Sequence, residues 1–387
     1  MRKKIFIFSS SRAEFYLLRE LFFKINKTKN LSAKFILTGT HTNQNYGLSK
    51  SEIKKSIKKK YSFLKIPQNS KDELSILKCV GESTKKFGKF LKKYNPDGVI
   101  LLGDRYEILS AGIASLFLKI PIIHLHGGEV TTGAIDENIR HAISKFSTYH
   151  FVSNEKYKKR IIQLGEIPKN IFCVGSIGVE NALKSKLISK KKLEEELNFK
   201  FKKNNFLITF HAETYKKDLG IGYFRNLLSV LSEYKNTNFI FTRPNADLGS
   251  KKIFDLIKRF IKKNKNSKLV LNLGQEKYFS ILKHFDGVIG NSSSGIIEAP
   301  SLNCVTLNIG KRQNGRLMSK SVITCYSSNK KELRKKFNYI KEKNYPNNSY
   351  FFRNPYFKPN TSSRIVSFLK KVDLKKVEIK SFFDIKF

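Results

Sequence analysis

No apolar run in the 387 residues approaches the roughly 20 that a membrane-spanning helix needs, so the chain reads as soluble and without a membrane partner. Cysteine is scarce. Cys79, Cys173, Cys304 and Cys325 contain no Cys-x-x-Cys pair, which argues against a disulfide framework or a zinc site and for free thiols in a reducing cytoplasm. The start, Met1-Arg2-Lys3-Lys4 followed by Ile5-Phe6-Ile7-Phe8, lacks the apolar core of about 7 residues that a signal peptide requires, and reads as a first strand. Acidic charge is in short supply as well: 31 Asp and Glu stand against 75 Lys and Arg, a formal net charge of +44. Such an excess suggests a nucleic-acid partner, because phosphate contacts dominate that kind of affinity. The basic runs, Lys58-Lys59-Lys60, Lys190-Lys191-Lys192 and Lys262-Lys263 among them, are however spread over the whole length among Asn, Ile and Phe. They read as a solvated basic surface, and no specific nucleic acid is expected.

Against these absences stands a chain that is 40% apolar and 12% aromatic, long enough for two cores and without an internal repeat. Short β-branched and aromatic runs alternate with longer amphipathic stretches, the pattern of an α/β protein. Strands are expected at Lys4 to Phe8, Ala33 to Thr38, Gly98 to Leu102, Pro121 to Leu125, His150 to Ser153 and Ile171 to Val174. Between them lie helical patterns such as Tyr106 to Leu118. Leu183 to Lys203, a Lys, Glu and Leu mixture, is read as the joint. A second set of strands follows at Phe206 to Phe210, Asn238 to Thr242, Leu269 to Leu273, Gly287 to Gly290 and Val305 to Asn308. The expectation is an α/β protein of two Rossmann-like domains, 1–182 and 183–360, facing a cleft, with 361–387 packing back on the first. In such sheets ligands bind beyond the carboxyl ends of the strands, so chemistry is sought in the turns that follow them.

The first such turn, Ser9-Ser10-Ser11-Arg12-Ala13-Glu14, lacks the Gly-x-Gly-x-x-Gly that lets backbone approach a dinucleotide pyrophosphate, which disfavours a nicotinamide enzyme. Arg12 there offers a guanidinium to a phosphate, or is a surface residue beside a helix cap. Gly103-Asp104-Arg105 closes an apolar strand with an acid beside a base; Asp104 is an active-site acid or a cap for the next helix. The densest polar cluster runs from His124 to His141 and includes His126, Gly127-Gly128, Glu129 and Asp136. Ile139, Ala142, Ile143 and Phe146 mark the buried stripe of a helix, flanked at i,i+4 by Asp136 with Arg140 and Glu137 with His141. The paired glycines suggest close approach of a ligand to the backbone. In the second half, His211 ends a strand in a position suited to acid/base work. Gly290-Asn291-Ser292-Ser293-Ser294-Gly295 then reads as a hydroxyl-rich turn into a helix, suited to a diphosphate, with Glu298 one turn on for a ribose diol. Arg312 and Arg316 add cationic contacts.

On these residues the chain resembles the UDP-N-acetylglucosamine 2-epimerase family, in its hydrolysing branch, which serves sialic-acid-type sugar synthesis. The resemblance covers nearly the whole chain. It rests on Gly103-Asp104-Arg105, Gly127 to His141 and Gly290 to Pro300, with Arg12, His211, Asn245 and Arg312-Gln313 in matching order. It implies a GT-B-like architecture, closed by a returning helix near Arg364 to Lys371, and elimination of UDP followed by addition of water, without metal or other cofactor. The expected reaction takes UDP-N-acetylglucosamine to UDP and N-acetylmannosamine; the alternative substrate is UDP-2,4-diacetamido-2,4,6-trideoxyglucose. The resemblance assigns proton transfer to Asp104 and Asp136, a place near the diphosphate to His211, nucleotide contacts to Arg12, Ser292 and Ser293, and the ribose to Glu298. Arg105, Asn245, Ser294 and Arg312 complete the expected substrate contacts. Where many members carry a catalytic Glu two residues after the strand-end His, this chain has His126, so either His126 or Glu129 takes that proton. A homodimer or homotetramer is expected. A GT-B glycosyltransferase and a polyanion-binding module remain as other classes; the transferase has no use for a base at C2.

Overall fold

The computed structural model describes residues 2–43, 53, 54, 56, 57, 60–67, 72–132, 134–214, 216–244, 248–376 and 380–385. The chain divides into two compact units. One comprises Met1–Glu129, Asp136–Glu180 and Tyr356–Phe387, the other Val130–Ile135 and Asn181–Pro355.

The first unit is built on a parallel sheet of β1 (Lys3–Ser9), β2 (Leu31–Leu37), β3 (Tyr61–Phe63), β4 (Gly98–Leu102), β5 (Ile122–Leu125), β6 (Tyr149–Val152) and β7 (Ile171–Cys173). Its order is β3-β2-β1-β4-β5-β6-β7, so the winding reverses between β1 and β4, where Ile7 pairs with Ile100. Every residue of β4 is buried, which explains its unbroken Gly-Val-Ile-Leu-Leu: helices cover both faces and leave no side for polar residues. The second unit repeats the design with β8 (Asn204–Thr209), β9 (Thr237–Thr242), β10 (Ser267–Val270), β11 (Gly287–Gly290), β12 (Thr306–Ile309) and β13 (Val322–Cys325). Their order is β10-β9-β8-β11-β12-β13, with the reversal between β8 and β11. Two doubly wound parallel sheets, as the strand pattern predicts, therefore carry the candidate residues at their carboxyl ends.

Three details depart from the sequence expectation. The edge strands β3 and β13 lie outside the expected set: β3, Tyr61–Phe63, is only three residues long, while β13, Val322–Cys325, is a β-branched run that completes the second sheet beside β12. β10 begins and ends earlier than Leu269 to Leu273, because Ser267 pairs with Phe239 and Leu273 is already the cap of the helix Gly274–His284. The stretch read as a joint contains the helix Lys190–Leu197, whose Leu193 and Leu197 are buried in the core of the second unit.

The helix Thr361–Lys371 packs against the helix Arg12–Lys27 of the first unit, with Ile365 and Leu369 in its core. Ser362 N–H donates to Glu180 Oε2 at 2.7 Å, and Thr361 Oγ1 donates to the carbonyl of Val174 at 2.8 Å. No helix of the described residues is long and apolar enough to cross a membrane.

Candidate active site

In the first unit, β1 runs into the helix Arg12–Lys27 through a turn capped by Ser11, whose hydroxyl accepts from Glu14 N–H. Arg12 is the first residue of that helix, at the point where the sheet order reverses. Glu14 reaches back past the cap to accept from Ser10 N–H at 2.6 Å and from Ser10 Oγ at 2.9 Å, tying down the residue before the cap. Burial pushes the Glu14 carboxyl up to about 7, against the opposing pull of Arg105 and the Ser10 N–H.

The cap of the helix Tyr106–Phe117 is Arg105, without a side-chain cap bond, so the reading of Asp104 as that helix's cap is set aside. Asp104 instead pairs with Arg140, a guanidinium only 2% exposed. Arg140 also donates through Nη1 to the carbonyl of Glu129 at 2.8 Å, so one buried cation ties the turn after β4 to the turn after β5. Its neighbour Arg105, read from sequence as a substrate contact, pairs with the fully buried Glu107, with Nε to Oε2 at 3.1 Å and Nη2 to Oε1 at 3.3 Å, and lies 4.0 Å from Glu14 Oε1.

His124, the last but one residue of β5, is wholly buried, and burial drives its imidazole down to about 3, leaving it neutral. Its Nε2 lies 2.9 Å from the Gly103 carbonyl and its Nδ1 3.0 Å from Ser144 Oγ, so it braces the turn that bears Asp104. Next, His126 adopts a left-handed backbone with φ 64, and its Nδ1 lies 2.7 Å from Glu129 Oε1. The same oxygen accepts from Ser153 Oγ at 2.7 Å, and Glu129 is 2% exposed. The paired glycines are required by packing: a Cβ at Gly128, which has φ 74, would lie 2.6 Å from the Tyr157 carbonyl, and one at Gly127 2.9 Å from Ser144 Oγ. After Glu129 the chain belongs to the second unit and returns with Asp136, which opens the helix Asp136–Phe146. On that helix His141 Nε2 is 3.7 Å from Glu137 Oε1; burial and then Arg140 hold His141 below the ordinary imidazole range.

The excursion Val130–Ile135 was not foreseen from the sequence. Its bonds explain it: Thr131 Oγ1 accepts from Arg316 Nη2 at 3.2 Å, Thr132 Oγ1 donates to the Asn314 carbonyl at 3.2 Å, and Ile135 N–H donates to Thr214 Oγ1 at 3.2 Å.

In the second unit, His211 follows β8 and is 7% exposed. Its N–H donates to Asn291 Oδ1 at 2.7 Å and its carbonyl accepts from Asn291 Nδ2 at 2.9 Å, so one side chain reproduces a strand pairing. The carbonyl of Asn291 accepts from Arg312 Nη1 at 3.3 Å and Gln313 Nε2 at 2.8 Å. Asn291 thus ties His211, the serine turn and the Arg312 loop together. Glu213, fully buried, is ion-paired with Lys216 Nζ at 3.0 Å. After Gly290, whose φ of 139 and approach to the Thr209 carbonyl exclude a side chain, come Ser292, Ser293 and Ser294. The helix expected there is a single turn, Ser294–Ile297, followed by the 3-10 turn Ala299–Leu302 because Pro300 cannot continue the α-helical hydrogen bonding. Glu298 stands at their junction, 7% exposed. Beneath it the Tyr278 hydroxyl is pushed well above its usual range, first by burial and also by the charge of Glu298. Asn245 lies outside the described residues.

Arg140, Asn291 and Ser153 are what sequence reasoning passed over as site residues. Arg140 carried a signal, a charge beside the apolar stripe of its helix; Asn291 and Ser153 carried only their places just after strands.

Comparison with known proteins bears on this geometry. A family model described as UDP-N-acetylglucosamine 2-epimerase matches residues 23–370. The GDP/UDP-N,N′-diacetylbacillosamine 2-epimerase (hydrolyzing) of Campylobacter jejuni is 39% identical, over 99% of this chain and 100% of that one. The polysialic acid biosynthesis protein P7 of Escherichia coli is 38% identical over 99% and 98%. The UDP-N,N′-diacetylbacillosamine 2-epimerase (hydrolyzing) of Legionella pneumophila is 32% identical over 97% of each. Among solved structures, UDP-GlcNAc 2-epimerase from Neisseria meningitidis bound to UDP-GlcNAc superposes with a TM-score of 0.76 at 19% identity, over 96% of this chain and 100% of that one. These likenesses show the fold to be GT-B-like.

Proposed function

The chain belongs to the UDP-N-acetylglucosamine 2-epimerase family, and from that premise we propose that it is a hydrolysing nucleotide-sugar 2-epimerase that releases UDP and a free 2-epimeric sugar. The observation that carries this reading is Arg140. A single buried guanidinium holds Asp104 and the Glu129 carbonyl, so two proton-handling segments at neighbouring strand ends are kept in fixed relation. Elimination across C1–C2 needs such preorganised acid/base groups, whereas a glycosyl transfer needs none at C2.

In this reading Asp104 and Asp136 move protons, together with the His126 to Glu129 segment. His211, Arg12, Arg312 and Ser292 to Ser294 serve the diphosphate, where charge develops as UDP leaves, and Glu298 accepts from the ribose diol. Arg105 holds the Asp104 turn through Glu107. The sugar we favour is UDP-N,N′-diacetylbacillosamine, supported by the names of the Campylobacter and Legionella relatives. UDP-N-acetylglucosamine, the expectation from sequence, is the second reading, supported by the Neisseria meningitidis relative named UDP-N-acetylglucosamine 2-epimerase, 29% identical over 83% of each chain. A cytoplasmic homodimer or homotetramer completes the proposal.

The test is incubation with each UDP sugar and identification of the products by NMR. The proposal expects UDP and the free manno-configured 2,4-diacetamido sugar, with higher kcat/KM than for UDP-N-acetylglucosamine. Turnover of UDP-N-acetylglucosamine alone would select the second reading; an epimer still attached to UDP, or no turnover, would refute hydrolytic epimerisation.

A further inference from the structure

Glu129 and His126 are not equivalent candidates once their surroundings are known. The Glu129 carboxylate is almost wholly enclosed, and its Oε1 already accepts from His126 Nδ1 and Ser153 Oγ, both at 2.7 Å. A carboxylate offers that nitrogen no proton, so in its neutral form the imidazole carries its hydrogen on Nδ1 and presents a bare lone pair on Nε2. That Nε2 is withdrawn from water and meets no hydrogen-bonding partner among the described residues. Buried polar atoms are rarely left so, and one at a strand end is a group awaiting a ligand. The backbone gives a second, independent sign: His126 holds φ 64, a conformation disfavoured for any residue with a Cβ and retained where the surroundings impose it.

We propose that His126 Nε2 is the general base of the elimination, with Glu129 and Ser153 as positioning residues that set its tautomer and orientation. The proposal rests on the function given above and deepens it. Nε2 takes the proton from C2 of the sugar, the C2–H electron pair becomes the C1=C2 bond, and the C1–O bond breaks with its pair passing to the departing UDP. The imidazolium so formed faces the Glu129 carboxylate, which stabilises it.

The test combines kinetics with spectroscopy. Glycine accepts the left-handed backbone, so His126→Gly keeps the turn and leaves a hole the size of a ring. With whichever UDP sugar the parent enzyme turns over, His126→Gly is expected to lower kcat by roughly 10²-fold or more, with UDP affinity within about twofold of the parent. Added imidazole should restore at least about tenfold of the loss. Glu129→Gln should lower kcat with KM little changed. Nitrogen-15 NMR of ligand-free protein, with the His126 signals assigned by their loss in His126→Gln, should show the Nδ1–H tautomer in the parent and the Nε2–H tautomer in Glu129→Gln. Full activity in His126→Gly, absence of imidazole rescue in a folded variant, or an Nε2–H tautomer in the parent would each overturn the assignment. Absence of any turnover by the parent would instead sink the reaction, while the tautomer measurement, which needs no substrate, still decides whether Nε2 is bare.

Discussion

Asp104 is held by a single buried guanidinium, and Asp136 opens the helix that carries that guanidinium. Asp104→Asn and Asp136→Asn keep the shape of each site and remove its charge, so each should lower kcat by roughly 10²-fold or more while UDP binding stays nearly intact. Steady-state kinetics and calorimetry on the same preparations separate the two effects. Glu298, nearly buried at the junction of two short turns, is given a binding role, and Glu298→Ala should weaken UDP by about 1 to 3 kcal/mol without changing the affinity for the free sugar product. Glu14 gives a pH prediction. Its carboxyl is raised from the ordinary 4.5 to about 7, so between those values the native state keeps a proton that the unfolded chain has released. Its contribution is therefore complete below about pH 4.5 and declines as pH rises to about 7, by up to about 3 kcal/mol. Urea denaturation across this range should show that slope in the parent and a flatter one in Glu14→Gln. Residue types were legible in advance at such positions; partners were not. Asp104 by itself reads more readily as a helix cap, because nothing local says that Arg140 will reach it.

At the scale of elements, strand and helix periodicity located most of the secondary structure, since a fully covered parallel strand must be apolar along its length. Of the two edge strands outside the expected set, β3 with its three residues is too short for a period-two pattern to register, whereas the β-branched Val322–Cys325 of β13 does carry a strand signal. At the glycines of the turn after β5, local sequence signals a close approach to the backbone but does not say that the Tyr157 carbonyl is what approaches Gly128. The helix Thr361–Lys371 closes the first unit from the far end of the chain. Leu369 is completely buried against the first unit, so Leu369→Ala should cost about 2 to 5 kcal/mol, the transfer and cavity terms of a large-to-small change. A urea midpoint shift of that size, with unchanged slope, is the expected result; a shift below about 0.5 kcal/mol would show the helix to be dispensable for that unit.

For the molecule as a whole, the dominant property is its charge of +44. So large an excess repels itself, and added salt screens it over about 8 to 10 Å at physiological strength. Raising sodium chloride from about 20 to about 300 mM should therefore raise Tm, the reverse of what a surface held together by ion pairs would show. Heparin or DNA binding seen at low salt should vanish near physiological strength; binding that survives would revive the polyanion-binding reading.

The two α/β units, the strand ends, and the acid, histidine and serine turns that follow them are all legible in the sequence. These are properties of stretches a few residues long, where side-chain period and turn chemistry act directly. Tertiary structure alone decided which of those groups meet. It brought Asn291 to His211 from 80 positions away, turned Arg140 onto Asp104, and set the enclosed Glu129 carboxylate against His126 Nδ1. Such pairings follow from strand order and from the hydrogen-bond demands of buried polar groups, and neither is a property of any local stretch of chain.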